Sequence, residues 1–456
     1  MRRLALPFVF GALVALTLAG CRRAPAAPRL GGLPVLERAA GPALLHASVG
    51  KLTDVMLHDI FSPPQAARIY AYSSVAAYEA LVPTHPGHRS LAGQLRGLTP
   101  GPRPEGETHD GLAASEAFLT VAEALVFSPE DVAAYRAEVR AAFEDAGLDD
   151  ALVERSLAHG QAVAQHVLAW AKGDGYAAMR SAPAYTVIPN QAGRWRPTPP
   201  AYIDGVEPNW AQHRPFVLDS ASQFVPERPH PFSTERGSAF MREAMEVYET
   251  GRTLTPEQRE IANFWDCNPY KLNTQGHAMF ATKKITPGGH WVGIAGIASR
   301  AAGDDLVGAA DTYVRTALAL ADGFLAAWEE KYRSNVVRPE TVINEHLDPQ
   351  WTPLLQTPPF PEYPSGHSVI SAAVAEVLTE RYGDGFGFAD STEVRFGLPV
   401  RRFASFRQAA QEAGLSRLYG GIHYRAAIER GLVQGERVGA LVVERLRTRQ
   451  PAVAAR

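Results

Sequence analysis

Runs rich in alanine, leucine and valine, each long enough for several helical turns, constrain this chain more than any other feature. Residues 66–82 contain neither glycine nor proline, and Ser62-Pro63-Pro64 just before them places proline where a first helical turn tolerates it. A second run covers 111–127. In a third, 150–171, Leu152, Leu157, Val163, Val167 and Trp170 recur near helical spacing. Further helices are expected over 235–248, 255–265, 304–332, 368–382, 403–413 and 422–445. Few segments alternate with period two, which excludes a strand-rich fold. The expectation is a mainly α protein, a helical bundle with long Pro-rich connecting loops. It divides into an N-terminal helical half, 51–234, and a C-terminal helical half, 235–456, that carries the site.

Within the N-terminal half lies a stretch that is not helical. Eight prolines fall in 197–231, with Trp195, Trp210, Phe216 and Phe224 among or beside them. Aromatics need somewhere to pack, so this is an ordered excursion wrapping over helices and not a disordered linker. Charged residues make up 20% of the chain and the formal net charge is -3. With no long basic stripe, no nucleic-acid partner is expected.

The N-terminus reads as an address. Arg2 and Arg3 precede an apolar run that ends in Leu18-Ala19-Gly20-Cys21, too short and wrongly flanked for a transmembrane helix. This resembles a bacterial lipoprotein signal, with 1–20 removed, Cys21 lipidated, and 21–50 a tether and lead-in. Arg22, where retained lipoproteins carry aspartate, implies an exported lipoprotein of the bacterial cell envelope, in the outer membrane facing the periplasm or the exterior. Cys267 is then the one remaining thiol, and no intrachain disulfide can form.

Three segments carry the chemistry. Lys331 and Arg338 are seven apart, two helical turns, so both face one side if the helix continues until Pro339 ends it. Pro364-Ser365-Gly366-His367 precedes an apolar helix, whose free N–H groups and close-approaching glycine suit an anion. Arg417 and His423 flank Gly420-Gly421, with His423 opening the last long helix. Each segment alone reads as a solvated helix end or an ordinary cap. Together they supply cations, a hydroxyl, an amide and two imidazoles for a tetrahedral oxyanion.

The motifs Lys-x6-Arg-Pro, Pro-Ser-Gly-His and Ser-Arg-x5-His resemble those of the vanadium-dependent haloperoxidase and type 2 phosphatidic-acid phosphatase superfamily, in its bacterial haloperoxidase-like branch. The resemblance implies a helical bundle with the anion at its centre. It assigns Lys331, Arg338 and Arg417 to the equatorial oxygens of vanadate, and Ser365 and the Gly366 amide to hydrogen bonds with them. His423 becomes the metal ligand and His367 the general acid–base. Phosphate can occupy the same site. The family's last-motif aspartate, which orients the apical histidine, falls here on Ala427. That leaves His423 Nδ1–H to a backbone carbonyl or a carboxylate from another segment, and it weakens a phosphatase reading more than a vanadate one.

Trp328 and Phe360 match an aromatic pair flanking the metal in fungal-type chloroperoxidases, and they read either as a halide pocket or as core aromatics. The resemblance then implies peroxide activation by non-redox vanadate, with proton transfer at His367 and polarisation by Lys331. Hydrogen peroxide, a halide and a small organic acceptor are the implied partners. The alternative is an acid phosphatase working through a phosphohistidine at His423. Phe264-Trp265-Asp266 and Gly288-Gly289-His290-Trp291 also resemble the haloperoxidase-like branch without an assignable chemical step.

Overall fold

The computed structural model of the protein describes residues 41–188, 191–275 and 277–450. The signal segment and Cys21 lie outside the described residues. Among the described residues fourteen α-helices run in order: α1 Ala43–Asp59, α2 Pro63–Leu81, α3 Asp110–Leu125, α4 Pro129–Asp145, α5 Asp150–Ala171, α6 Tyr176–Arg180, α7 Ala239–Thr253, α8 Pro256–Phe264, α9 Pro287–Ala302, α10 Leu306–Ser334, α11 Pro339–His346, α12 Gly366–Tyr382, α13 Phe406–Tyr419 and α14 Arg425–Arg445. Two small antiparallel hairpins join them, β1 Leu272–Gln275 with β2 Ala278–Ala281 and β3 Phe388–Asp390 with β4 Arg401–Phe403. No helix among the described residues is long and apolar enough to cross a membrane.

Two helices are engulfed. All of α2 is buried, and so is α10 through Trp328. A helix that is apolar or small on every face belongs inside a bundle, and α10 packs against α2, α9, α12 and α14. Side chains of this central rod hold the Pro-rich excursion, Trp328 and Tyr332 at Val206 O and one carboxylate further along. Asp322 of α10, fully buried, accepts N–H bonds from Phe216 (2.9 Å), Val217 (2.7 Å) and Leu218 (2.9 Å). Three backbone donors that no helix or sheet could satisfy thus find an acceptor inside the core.

Two expectations about the chain's course are corrected. Residues 43–50 belong to α1 and not to a tether, because Leu44, Leu45 and Val49 bury one face. Lys331 and Arg338 do not share a helix. α10 stops at Ser334, with Asn335 in the left-handed region (φ 50°) closing back onto the Lys331 carbonyl. Pro339 does not end that helix but starts α11, for which Arg338 is the N-cap. The extended residues between are held by Val337 N–H on Gly193 O (3.1 Å) and Glu362 N–H on Val336 O (3.0 Å). Pairing on both sides replaces the intrahelical bonds that continuation would have supplied.

The seam between α12 and α14 sets the geometry of the site end. Gly431, Gly435 and Gly439 lie at successive i+4 positions on α14. A Cβ at each would fall 3.0 Å from Ser365 O, 2.1 Å from Val369 O and 2.5 Å from Ala373 O. Backbone therefore meets backbone along two turns. Gly435→Ala is expected to destabilise the protein by about 1–3 kcal/mol or more through this overlap, although alanine is the better helix former by about 1 kcal/mol. Gly50→Ala in α1, exposed and with nothing within 4 Å of its Cβ, should instead stabilise by about 0.5–1 kcal/mol. Urea denaturation of the two variants reads both signs.

Candidate active site

The three segments meet at the N-terminus of α12. Ser365 is its N-cap and accepts from Ser368 N–H (3.3 Å), while the Ser365 amide is taken by Ala427 O (3.0 Å). The first amides of a helix lack intrahelical acceptors, so those of Gly366 and His367 remain for a ligand. Both residues line a cleft, together with Arg417 and His423. A Cβ on Gly366 would meet only ordinary contacts, Trp328 at 3.4 Å and Lys331 Cε at 3.6 Å. Packing alone does not demand glycine here; its effect is to keep this part of the cleft floor open.

Lys331, Arg338, Ser365 and Arg417 are fully buried. Lys331 Nζ donates to the carbonyls of Pro361 (3.0 Å) and Glu362 (3.1 Å). Arg338 donates from Nε to Phe360 O and from one terminal nitrogen to Ile422 O, both at 2.9 Å, and its other terminal nitrogen is enclosed without a partner. Arg417, in the last turn of α13, donates to Trp265 O (2.8 Å). His367 is half-buried with its Nε2 enclosed and unpartnered. Burial, then mutual repulsion, lowers the pKa of Lys331, His367 and His423 well below their ordinary values, and burial lowers that of Arg417. Cationic groups that depress one another in a dry site are what an oxyanion would relieve.

His423 sits in the loop before α14, two residues earlier than that helix begins, and not within it as expected. Its Nδ1 lies 2.8 Å from Glu362 Oε1, which also accepts Tyr424 N–H (3.0 Å). Its Nε2 is 3.2 Å from a terminal nitrogen of Arg338. A guanidinium only donates, so this contact makes Nε2 the acceptor and assigns the proton to Nδ1, donated to Glu362. The Nε2 lone pair therefore faces the cationic site. Glu362 takes the place of the carboxylate missing at Ala427. The sequence did not single it out, because its partner lies 61 residues further along the chain.

Trp328 and Phe360 line the same cleft with ring centroids 4.8 Å apart. Lys331 Nζ and Arg338 Cζ each stand 5.1 Å from the Phe360 centroid, within cation–π range. Asp266, Cys267, Asn268 and Tyr270 also line the cleft, none of them expected as lining. His290 does not line it. That ring is fully buried behind Trp265, stacked at 4.5 Å. The two motif segments without an assigned chemical step prove to be supports for the site. Trp265 O holds Arg417, and Trp291 Nε1 donates to Ser371 of α12 (2.7 Å).

Burial pushes the Glu362 carboxyl up to about 8. Oxyanion binding should favour the protonated form, so affinity is expected to fall as pH rises through about 8. Tungstate, which does not titrate there, is the suitable probe by calorimetry. Glu362→Gln should flatten the fall.

Residues 311–450 match the family model of the VCPO second helical-bundle domain. The solved structure of a bacterial vanadium-dependent iodoperoxidase aligns with a TM-score of 0.86 at 48% identity, over 91% of this chain and 98% of that one. A bacterial vanadium-dependent chloroperoxidase shares the fold, at 20% identity and TM-score 0.65 in its holo form, over 85% of this chain and 93% of that one. Its apo form gives 19% and 0.64, over 83% and 93%. Comparison with curated proteins finds no match. At 48% identity across nearly the whole length of a solved relative, this chain belongs to the vanadium-dependent haloperoxidases.

Proposed function

We propose that this protein is a vanadate-dependent haloperoxidase that oxidises iodide with hydrogen peroxide to a hypohalite-equivalent species, which passes to a small organic acceptor. The observation that carries the reading is the preset Nε2 lone pair of His423 among Arg338, Arg417, Lys331 and the α12 amides. Iodide is chosen because the 48%-identical relative is an iodoperoxidase.

The donor set fits vanadate: His423 Nε2 would bind the metal, and the unpartnered Arg338 nitrogen, Arg417, Ser365 and the Gly366 amide would offer hydrogen bonds to its oxygens. Bound vanadate supplies a pentavalent Lewis acid that activates hydrogen peroxide without changing oxidation state. His367 Nε2, enclosed and neutral, takes up and returns the protons of the reaction. Glu362 holds the His423 ring through Nδ1, as outer carboxylates hold metal-bound histidines. Trp328 and Phe360 exclude water from the face that a halide would approach, which strengthens the field of Lys331 and Arg338.

The Glu362–His423 contact also serves a nucleophilic histidine, so it favours one second reading, phosphomonoester hydrolysis through phosphohistidine. Protein reconstituted with orthovanadate is expected to oxidise iodide with peroxide and to hydrolyse phosphomonoesters poorly. Hydrolysis without vanadate-dependent iodide oxidation would reverse the assignment. His423→Ala should lose vanadate binding and activity together. His367→Ala should retain much of the binding and lose about 10²–10⁴-fold in turnover.

Phe360→His should lower the bromide rate relative to iodide with vanadate still bound, because an imidazole admits water to a low-dielectric wall that the harder-to-oxidise halide needs. A residue that merely packs would lower both activities together with the melting temperature. Steady-state rates for both halides, read beside vanadate occupancy, separate the cases.

The envelope address is likewise a proposal, resting on Leu18-Ala19-Gly20-Cys21. The mature protein is expected to begin at an acylated Cys21 and to partition with membranes. Mass spectrometry of its N-terminal peptide checks this, and an unmodified Cys21 would remove the anchor without touching the enzyme.

A further inference from the structure

Behind the Trp265 wall, three side chains from separate elements bring potential ligand atoms together. Cys267 follows α8, His290 lies in the first turn of α9, and Glu393 follows β3. All three are buried, at 2%, 0% and 2% exposure. Their Sγ, Nδ1 and carboxylate oxygen lie within 4.8 Å of one another. Cys267 Sγ is 3.3 Å and Glu393 Oε1 3.4 Å from His290 Nδ1. Bond lengths of about 2.0–2.3 Å at a tetrahedral zinc put neighbouring ligand atoms about 3.3–3.6 Å apart. The two separations from His290 Nδ1 match that requirement, and the third pair lies within 4.8 Å.

Two further observations point to a cation. Glu393 Oε1 is buried with no hydrogen-bond partner although it faces the cluster. His290 Nε2 lies 2.8 Å from Asp390 Oδ2, and Asp390 Oδ1 is separately fixed by Thr392 N–H (3.0 Å) and hydroxyl (2.6 Å). A carboxylate on the far nitrogen of an imidazole is the arrangement that orients metal-bound histidines and leaves the near nitrogen as the ligand.

We infer that Cys267, His290 and Glu393 form a structural divalent-metal site, with Asp390 orienting His290 and zinc as the ion of matching chemistry. Thiolate, imidazole and carboxylate together suit zinc better than the all-oxygen preference of magnesium or calcium. Cys267 also lines the active-site cleft, which gives the ion a path in and a fourth ligand from solvent. The metal would pin the 265–267 loop, whose Trp265 carbonyl holds the Arg417 guanidinium. It thus stands behind the oxyanion site and takes no part in binding the oxyanion.

The test uses reduced full-length protein incubated with Zn²⁺, freed of loose ion by gel filtration and analysed by plasma mass spectrometry. About one equivalent of zinc should remain. Co²⁺ in its place should give a thiolate-to-cobalt charge-transfer band in the near ultraviolet. Cys267→Ser should abolish that band, Glu393→Gln should lower zinc to well below stoichiometric, and zinc removal should lower the melting temperature of the unmutated protein. The proposal is overturned if folded unmutated protein retains no zinc, or if Co²⁺ binds it without a thiolate band. In that case His290 is a doubly protonated imidazolium clamped between Asp390 and Glu393. Should Cys267→Ser fail to fold, the zinc content and cobalt spectrum of the unmutated protein decide the matter alone.

Discussion

Everything at the site end of this molecule depends on how closely α14 can approach α12. Glycines at 431, 435 and 439 let carbonyl oxygens of α12 sit where side chains of α14 would otherwise stand. One product is the bond from the Ser365 amide to Ala427 O (3.0 Å). That bond ties the helix N-terminus carrying Gly366 and His367 to the loop carrying His423. Any side chain on the seam would push the two apart, and an oxyanion site tolerates little such displacement, because a misplacement of about 1 Å can cost 10²-fold in rate.

The seam has an electrostatic consequence as well. It concentrates Lys331, Arg338, Arg417, His367 and His423 in a space where burial dominates their protonation. Few carboxylates offset them: Asp266, bonded to Lys271 and Lys284, on one side, and on the other Glu362, whose carboxyl burial pushes up to about 8. Removing the positive charge would make the fold easier to stabilise. The arrangement makes sense when an anion completes it, so stability and ligand affinity are linked here.

How much of this was legible in the sequence depended on the range of the interaction. Helix identity was local, and 150–171 was read at its observed bounds because capping and apolar spacing sit within the segment. Helix ends set by distant partners were not. Asn335 terminates α10 because the strand-like residues after it pair with Gly193 and Glu362, far away in sequence, and a seven-residue spacing could not reveal that. The motif residues could be named since each lies in a short conspicuous string. The carboxylate serving His423 could not, since it comes from 61 residues earlier. The glycines at 431, 435 and 439 went unread, because their meaning depends on which helix they face.

Ala427 then reads differently. An aspartate at this position would orient the apical histidine from one turn into α14, close to where the helix crosses α12. Here Ala427 is fully buried in an apolar cluster with Val336, Val337, Tyr363 and Tyr424. A carboxylate in that cluster would be costly to bury without partners. Glu362 reaches Nδ1 from the segment that also offers its carbonyls to Lys331. The one short segment 360–366 therefore supplies the aromatic wall, the lysine's acceptors, the histidine's carboxylate and the helix cap. Moving the carboxylate from helix to loop leaves the histidine oriented and frees α14 to pack against its neighbours.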